Sequence, residues 1–259
     1  MALYGVAVSG MKFLGNNRPL AFAHRGGAGD WPENSMPAFD SAVAMGFTHL
    51  ETDVHATSDG VLVAFHDDKL DRVTDRTGSI AELPWSEVTK ARIDGQEPIP
   101  RFDELLERFP DSFFNVDAKA DPSVGPLVDL IGRTGSVDRL CVGSFSDRRL
   151  ARIRKAVGPE LCTSMGPAGI ARLRAASFGV PAGRFSGACA QVPTSARGKV
   201  LVDERFIATA HAIGIDVHIW TIDEPEEMHR LFDLGVDGIM TDRPAVLKEV
   251  MIERNIWST

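Results

Sequence analysis

Short runs of apolar, β-branched and aromatic residues alternate along the chain with longer segments in which apolar residues recur at helical spacing. The runs are typical of buried strands, and the longer segments are typical of amphipathic helices. Gly46, Gly214 and Gly235 follow three helical segments at the position where glycine commonly ends a helix. The pattern predicts eight strand–helix units, with strands in LAFAHR, HLETDVH, FFNVDAK, LCVGSF, ELCTSM, ACAQVP, DVHIWTI and DGIMTD.

Eight such units in a chain of 259 residues predict a closed α/β barrel, the (β/α)8 or TIM barrel. An open doubly wound sheet is the alternative, but HRGGAGDW does not match the glycine fingerprint that opens its dinucleotide-binding form. The alternation is interrupted by a polar, turn-rich stretch with one short helical pattern near Trp85. We therefore predict one domain over residues 1–259, with a small insertion at about 68–100, after the second strand, that caps the barrel mouth.

Charged side chains occupy positions that the predicted strands direct into the barrel. Because side chains alternate across a strand, Glu51 and Asp53 share the inward face of the second strand, as Asp117 and Lys119 do in the third. Barrel interiors are usually filled by Val, Ile and Leu, and an unpaired buried charge costs several kcal/mol. The placement therefore requires a compensating partner for these carboxylates.

A divalent cation is the first hypothesis for that partner. Glu51, Asp53 and Asp117 offer hard oxygen ligands of the kind that Ca²⁺ and Mg²⁺ prefer. Zinc is disfavoured, since the sequence shows no Cys/His tetrad at a familiar spacing. The alternative is a salt-bridge network without metal, formed by Glu51 and Asp117 with Lys119 and Arg25.

Charge and composition restrict the partners of the protein. The formal net charge of −8 argues against a general nucleic-acid surface, which needs a basic stripe. No apolar run reaches the 18 residues of a membrane span, and we interpret the first 20 residues as a lead-in segment rather than a signal peptide. Three cysteines without a CxxC spacing predict buried, reduced thiols in a cytoplasmic protein.

Five blocks of the sequence together resemble the glycerophosphodiester phosphodiesterase family, over nearly the whole chain from Ala21 to Pro244. The resemblance rests on the combination of an HRG…PEN opening, an E-x-D strand and a following HD pair; any one of these alone would be unspecific. The blocks are AHRGGAGDWPENSMPAF, GFTHLETDVHATSDGVLVAFHDDKLDRVTDRTG, NVDAKA, VHIWTID and GVDGIMTDRP.

The resemblance implies a TIM barrel with a small insertion, and metal-dependent hydrolysis of glycerophosphodiesters, such as glycerophosphocholine, to an alcohol and glycerol 3-phosphate. Asp117 departs from the family pattern, in which the third metal ligand is more often Glu. The implied roles are acid–base catalysis by His24 and His66, a phosphate clamp by Arg25 and Lys119, metal binding by Glu51, Asp53 and Asp117, loop support by Glu33 and Asn34 with Glu33 also reaching substrate, and a pocket wall at Trp220.

Several alternatives remain open at the level of sequence. Either histidine can be the acid, and the nucleophile can be water or the neighbouring glycerol hydroxyl. A lysophospholipase D-like enzyme would act on lipid substrates through an apolar mouth, and a non-catalytic barrel would only bind the diester. Neither the preferred alcohol group, the identity of the metal nor the oligomeric state follows from the sequence.

Overall fold

Eight parallel strands form a barrel in the computed structural model, which describes residues 11–15, 19–196 and 198–257. Each strand pairs with its neighbours in chain order, and β1 pairs with β8. A parallel bridge between Ser164 and Cys189 joins β5 to β6 and closes the ring. The strands are β1 (Leu20–Ala23), β2 (His49–Ala56), β3 (Phe113–Ala118), β4 (Leu140–Gly143), β5 (Cys162–Thr163), β6 (Cys189–Val192), β7 (Asp216–Ile219) and β8 (Gly238–Thr241).

One longer helix follows each strand, so the predicted (β/α)8 barrel is confirmed. Local signals define the helix ends: the Ser35 hydroxyl accepts a hydrogen bond from the Ala38 backbone N–H, and Gly235 ends its helix with a φ of 90°. The helices are α1 (Met36–Ala44), α2 (Phe102–Arg108), α3 (Val124–Thr134), α4 (Asp147–Val157), α5 (Pro167–Ala176), α6 (Glu204–Ala212), α7 (Pro225–Leu234) and α8 (Pro244–Glu253).

The outer face of the barrel packs on these helices. Phe114 of β3 contacts Phe39 of α1 and Phe102 of α2, with ring centroids 6.3 and 5.8 Å apart. All three side chains are fully buried. The alternation predicted for β3 is therefore present, and its remaining positions, including Asp117, point into the barrel.

An aromatic layer fills the amino-terminal end of the barrel. Phe13 packs edge-on to Phe113, and its carbonyl accepts a hydrogen bond from His49 Nε2 at 2.9 Å. Burial lowers the pKa of His49 to about 4, which keeps this imidazole neutral. Because this end is closed by packed rings, the charged inward positions lie towards the opposite, carboxyl-terminal end.

The segment between β2 and α2 has a small core of its own. A strand at Leu62–Ala64 pairs antiparallel with β2, and a one-turn helix forms at Trp85–Val88, the place of the predicted helical pattern. Strands at Arg92–Ile93 and Glu97–Pro98 pair with each other, and 3-10 turns lie at Leu70–Arg72 and Ile80–Glu82. The buried cluster comprises Val63, Phe65, Leu70, Ile80, Val88, Ala91, Ile93 and Ile99.

This segment is thus less polar inside than its composition indicates, since a few apolar residues meet only after folding. The extent of the single domain, residues 1–259, stays a prediction. Most of the amino-terminal lead-in, at positions 1–10 and 16–18, lies outside the described residues. Among the helices that the structure describes, none has the length and apolarity needed to cross a bilayer.

Candidate active site

Charged and polar side chains converge at the carboxyl ends of β1, β2 and β3. His24 and Arg25 follow β1 directly, and the parallel register of β2 and β3 places Asp53 beside Asp117. Residues at the carboxyl ends of barrel strands build the active sites of this fold. This end of the barrel is therefore the candidate active site.

The chain leaves β1 through a tight left-handed turn. Arg25, Gly26 and Gly27 have φ values of 51°, 82° and 103°. A Cβ on Gly26 would lie 2.8 Å from that of Ala38, and one on Gly27 would lie 2.6 Å from Pro244 Cγ. Glycine is required here by both the turn and the close packing, and the turn directs the Arg25 backbone N–H to Glu51 Oε2 at 3.1 Å.

An ion-pair network links the two predicted cations to the carboxylates. Lys119 Nζ lies 2.7 Å from Asp53 Oδ1 and 2.8 Å from Asp117 Oδ2. The Arg25 guanidinium lies 3.3 Å from Asp53 Oδ2 and 3.2 Å from Glu33 Oε1. Burial alone would raise the pKa of Asp53, but Lys119 and Arg25 outweigh it and hold that pKa below its usual value. The salt-bridge alternative drawn from the sequence is present only for Lys119 with Asp117, whereas the ion pairs of Arg25 go to Asp53 and Glu33 and not to Glu51.

Two carboxylates of the site, Glu51 and Asp117, are not fully compensated by the ion pairs. Burial, followed by repulsion from Asp53, raises the pKa of Glu51 to about 7. Asp117 Oδ1 is buried, and no group among the described residues hydrogen-bonds to it. A divalent ion would satisfy both oxygens, and the donors are the hard oxygens that such ions prefer. The predicted ligand set therefore fits a divalent ion.

His24 lies between two carboxylates. Its Nδ1 donates a hydrogen bond to Asp242 Oδ1 at 2.6 Å, and its Nε2 lies 3.7 Å from Glu51 Oε2. Burial would lower the pKa of His24, but Glu51 and Asp242 outweigh it, and the pKa is raised. Asp242 thereby sets the tautomer and ring orientation, leaving Nε2 for chemistry.

His66 has a similar partner on the segment that follows β2. Its Nδ1 lies 2.6 Å from Asp67 Oδ1, and Arg72 Nε donates to Asp67 Oδ2 at 2.6 Å. The hydrogen bond from Arg72 is the main cause that lowers the pKa of Asp67 to about 2. Arg72 also donates to Glu33 at 2.6 Å, so it connects this segment to the β1–α1 loop.

Asn34 holds Asp53 in place through a hydrogen bond. It is buried, its Nδ2 donates to Asp53 Oδ2 at 3.3 Å, and its Oδ1 accepts the Thr52 hydroxyl at 2.8 Å. Trp220 follows β7, and its ring meets that of Phe145 edge-on at 5.8 Å. The structure therefore brings the residues predicted on β1 to β3 into one network and places Trp220 at the carboxyl end of β7.

Sequence reasoning missed three residues of this network: Asp67, Arg72 and Asp242. Asp242 lies in the family-like block GVDGIMTDRP, directly after β8. A closed barrel pairs its last strand with its first, so barrel closure was the signal that could have placed Asp242 beside His24.

Replacing Asp242 with asparagine is expected to lower kcat about 10- to 100-fold, because His24 loses the acceptor that holds its tautomer. KM is expected to stay within about threefold, since Asp242 acts through His24 rather than on the substrate. Steady-state kinetics on a glycerophosphodiester would measure both. Asp233→Asn, on an exposed ion pair with Arg254, is the control, and an unchanged kcat for Asp242→Asn would contradict this positioning role.

Replacing Asp67 with asparagine is expected to lower the free energy of unfolding at pH 7 by about 1 kcal/mol, after allowance for solvent screening. Because the pKa of Asp67 is lowered in the folded state to about 2, this stability is present above about pH 4 and disappears as the pH falls towards 2. Urea unfolding at pH 7 and pH 3 would show the difference between wild type and variant shrinking. A difference that grows at acidic pH would contradict the linkage.

Fold and site together define a barrel enzyme with paired histidines and carboxylates at its mouth. The model of the glycerophosphoryl diester phosphodiesterase family matches residues 24–246. The chain therefore belongs to this family, as the sequence motifs indicated.

Known proteins agree with this assignment. The chain is 37% identical over 253 residues to the probable glycerophosphodiester phosphodiesterase 2 of Mycobacterium tuberculosis, covering 95% of this chain and 96% of the relative. Human Lysophospholipase D GDPD1 is 28% identical over 269 residues, covering 88% and 85%. A phosphodiesterase of Oleispira antarctica, solved in complex with the product sn-glycerol-3-phosphate, shares 24% identity with a TM-score of 0.75, covering 91% and 97%. The prediction of a phosphodiesterase enzyme is confirmed.

Proposed function

We propose that the protein hydrolyses small glycerophosphodiesters, such as glycerophosphocholine, to an alcohol and glycerol 3-phosphate, with His24 and His66 as the acid–base pair. The observation that carries the proposal is that each histidine has a carboxylate on its Nδ1, at 2.6 Å in both cases. Both flank a cluster of acidic and basic groups at the barrel mouth. The product bound to the Oleispira relative supports glycerol 3-phosphate as the product here.

Proton transfer is the part of the reaction that these histidines supply. Cleavage of a P–O bond needs one group that removes a proton from the attacking oxygen and one that protonates the departing alkoxide. Imidazoles titrate near neutrality and can do either. Asp242 and Asp67 orient the two rings so that the opposite nitrogen of each is available to the substrate.

Arg25 and Lys119 are proposed to bind the phosphate. Both are cations partly exposed at the mouth, and in the structure they pair with Asp53 and its neighbours. A guanidinium can donate to two phosphate oxygens at once, while an ammonium acts as a point charge. Glu33 contributes to substrate binding by orienting the Arg25 guanidinium, with Oε1 3.2 Å from Nη1.

Glu51, Asp53 and Asp117 are proposed to hold Ca²⁺ or Mg²⁺. When bound, such an ion neutralises charge on the phosphoryl oxygens. The support is the unpartnered Asp117 Oδ1 and the burial of Glu51. Lys119 Nζ lies between Asp53 and Asp117, so it provides the charge compensation of the metal-free protein.

A lysophospholipid is the second candidate substrate. Phe145 is 68% exposed beside Trp220 at the mouth, where an apolar surface would contact an acyl chain. The similarity to human Lysophospholipase D GDPD1 supports this alternative. Phe145→Ser is expected to reduce turnover of a lysophospholipid and leave that of glycerophosphocholine unchanged if the lipid is a true substrate.

The central experiment measures release of glycerol 3-phosphate from glycerophosphocholine by the purified chain, before and after chelation. Chelation is expected to abolish the release, and Ca²⁺, Mg²⁺ or Mn²⁺ to restore it. Full activity in excess chelator would contradict the metal assignment alone. Absence of activity on glycerophosphocholine and on a lysophospholipid, with every metal of the panel, would contradict the proposed substrates.

The thiols and the net charge bear on the cellular location of the enzyme and on the class of its substrate. We propose the cytoplasm as its location, supported by three free, buried cysteines, which are typical of reducing compartments. The net charge of −8 supports a small-molecule substrate rather than a nucleic acid. We propose that the enzyme acts without stable insertion into a membrane.

A further inference from the structure

Three cysteine side chains meet inside the barrel, away from the residues assigned to catalysis. Cys141 lies on β4, Cys162 on β5 and Cys189 on β6, and each is at most 1% exposed. Their sulfur atoms all lie within 4.8 Å of one another, and those of Cys141 and Cys189 are 3.8 Å apart. Three neighbouring strands contribute one thiol each, so the pairing of these strands in the barrel brings the sulfurs together.

A buried histidine on the neighbouring strand is the candidate fourth donor. His218 on β7 is fully buried, and its ring interacts with the Cys189 thiol. Its Nε2 has no hydrogen-bond partner among the residues that the structure describes, and such a buried, unsatisfied nitrogen is costly. The group of ligand atoms within 4.8 Å of one another comprises the three sulfurs alone, so the His218 ring must move towards them to bind a shared ion.

A polar and a cationic side chain lie beside the sulfurs. The Gln191 amide donates to Cys141 Sγ at 3.9 Å, and the partly buried Arg154 guanidinium interacts electrostatically with Cys141 and Cys189. Three thiolates with a divalent cation carry a net charge of −1, which Arg154 balances.

The spacing of the sulfurs suits a small tetrahedral ion. Zinc binds thiolate sulfur at about 2.3 Å, so two sulfurs of one tetrahedral site lie about 3.8 Å apart. The observed separation of the Cys141 and Cys189 sulfurs is 3.8 Å, and the third sulfur needs to move by at most about 1 Å. Three sulfurs and one imidazole form a known type of structural zinc site, in which all four positions are closed.

We propose that Cys141, Cys162, Cys189 and His218 form a buried site for a thiophilic d¹⁰ cation, with Zn²⁺ as the natural occupant. The ion would join β4, β5, β6 and β7 from within and brace this half of the barrel. It would be distinct from the proposed catalytic ion, which takes oxygen ligands from β2 and β3. The site therefore predicts two metals of different chemistry in one chain.

The first test uses the wild-type chain. After native chelation to strip the exposed site, the protein is unfolded in guanidinium with a chromogenic zinc indicator. About one equivalent of Zn²⁺ is expected to appear only on unfolding, because the site is buried. Release of far less than one equivalent, from protein expressed with and without added zinc, would overturn the proposal and leave the thiols as simple packing groups.

The second test follows the sulfur–metal bonds directly. Protein refolded with Cd²⁺ is expected to show thiolate-to-cadmium charge-transfer absorption, which Cys162→Ser reduces by about a third or more. Asp117→Asn is the matched control: it removes a proposed ligand of the other site and should leave the band unchanged. A wild-type spectrum without the band would contradict the site even if the cysteine variant fails to fold, and neither measurement depends on activity.

Discussion

Replacing His24 or His66 with alanine is expected to reduce the release of glycerol 3-phosphate from glycerophosphocholine by at least ~10²-fold. Each change removes one of the two groups that exchange protons with the substrate oxygens. Asp242 and Glu51 orient the His24 ring. A water molecule in the space left by the ring would not be held in the same orientation, so it would not replace the imidazole. The loss is expected in kcat, measured by initial rates over a range of substrate concentrations.

His229→Ala is the control for these variants. His229 lies on α7, half-exposed, and pairs with Glu253 on the surface, so its loss should leave the rate unchanged. Circular dichroism and thermal unfolding would establish that all three variants are folded. Wild-type rates in either the His24 or the His66 variant would exclude that residue from proton transfer.

Replacing Lys119 with methionine is expected to lower the free energy of unfolding of the metal-free protein by about 3 kcal/mol. The ammonium is the shared partner of Asp53 and Asp117, and methionine leaves both carboxylates facing each other in a buried site. Removal of one member of a buried ion pair is costly because the remaining charge is uncompensated. Urea unfolding in the presence of chelator would measure the loss.

The same variant tests the proposed metal. Ca²⁺ or Mg²⁺ is expected to stabilise Lys119→Met more than wild type, because the ion no longer competes with an ammonium. Lys90→Met is the control, since Lys90 pairs with Glu87 on the surface, where such pairs contribute little. Equal stabilisation of both Lys119→Met and wild type by the ion would show that the carboxylates do not bind it in the proposed way.

Much of the barrel could be predicted because its signals are local. Apolar runs followed by helical periodicity identify strands and helices, and period-two alternation places Asp53 and Asp117 on inward faces. The segment after β2 was harder to predict. Its turns are visible in the sequence, whereas the small core around Ile80 and Ile93 forms from residues that show no common periodicity.

The sequence named the proposed ligands and histidines of the candidate site but not the contacts between them. Family motifs and strand faces identified His24, Glu51 and Asp53. They did not show that Asp53 is shared between Lys119 and Arg25, nor that Arg72 ties Glu33 to Asp67. These pairings depend on where side chains point at strand ends and in loops. A different backbone turn at such a position would point the charged side chain in another direction.

By itself, the sequence determined the fold class, the family and the residues that carry the proposed chemistry, because periodicity and short motifs express local preferences. Only the tertiary structure decided which distant groups meet. His24 and Asp242 are 218 positions apart, and barrel closure makes them hydrogen-bonded neighbours. Cys141, Cys162 and Cys189 share no metal-binding spacing, yet adjacent parallel strands collect them in one layer. Such contacts follow from the geometry of a closed sheet, in which proximity depends on strand order and register rather than on separation along the chain.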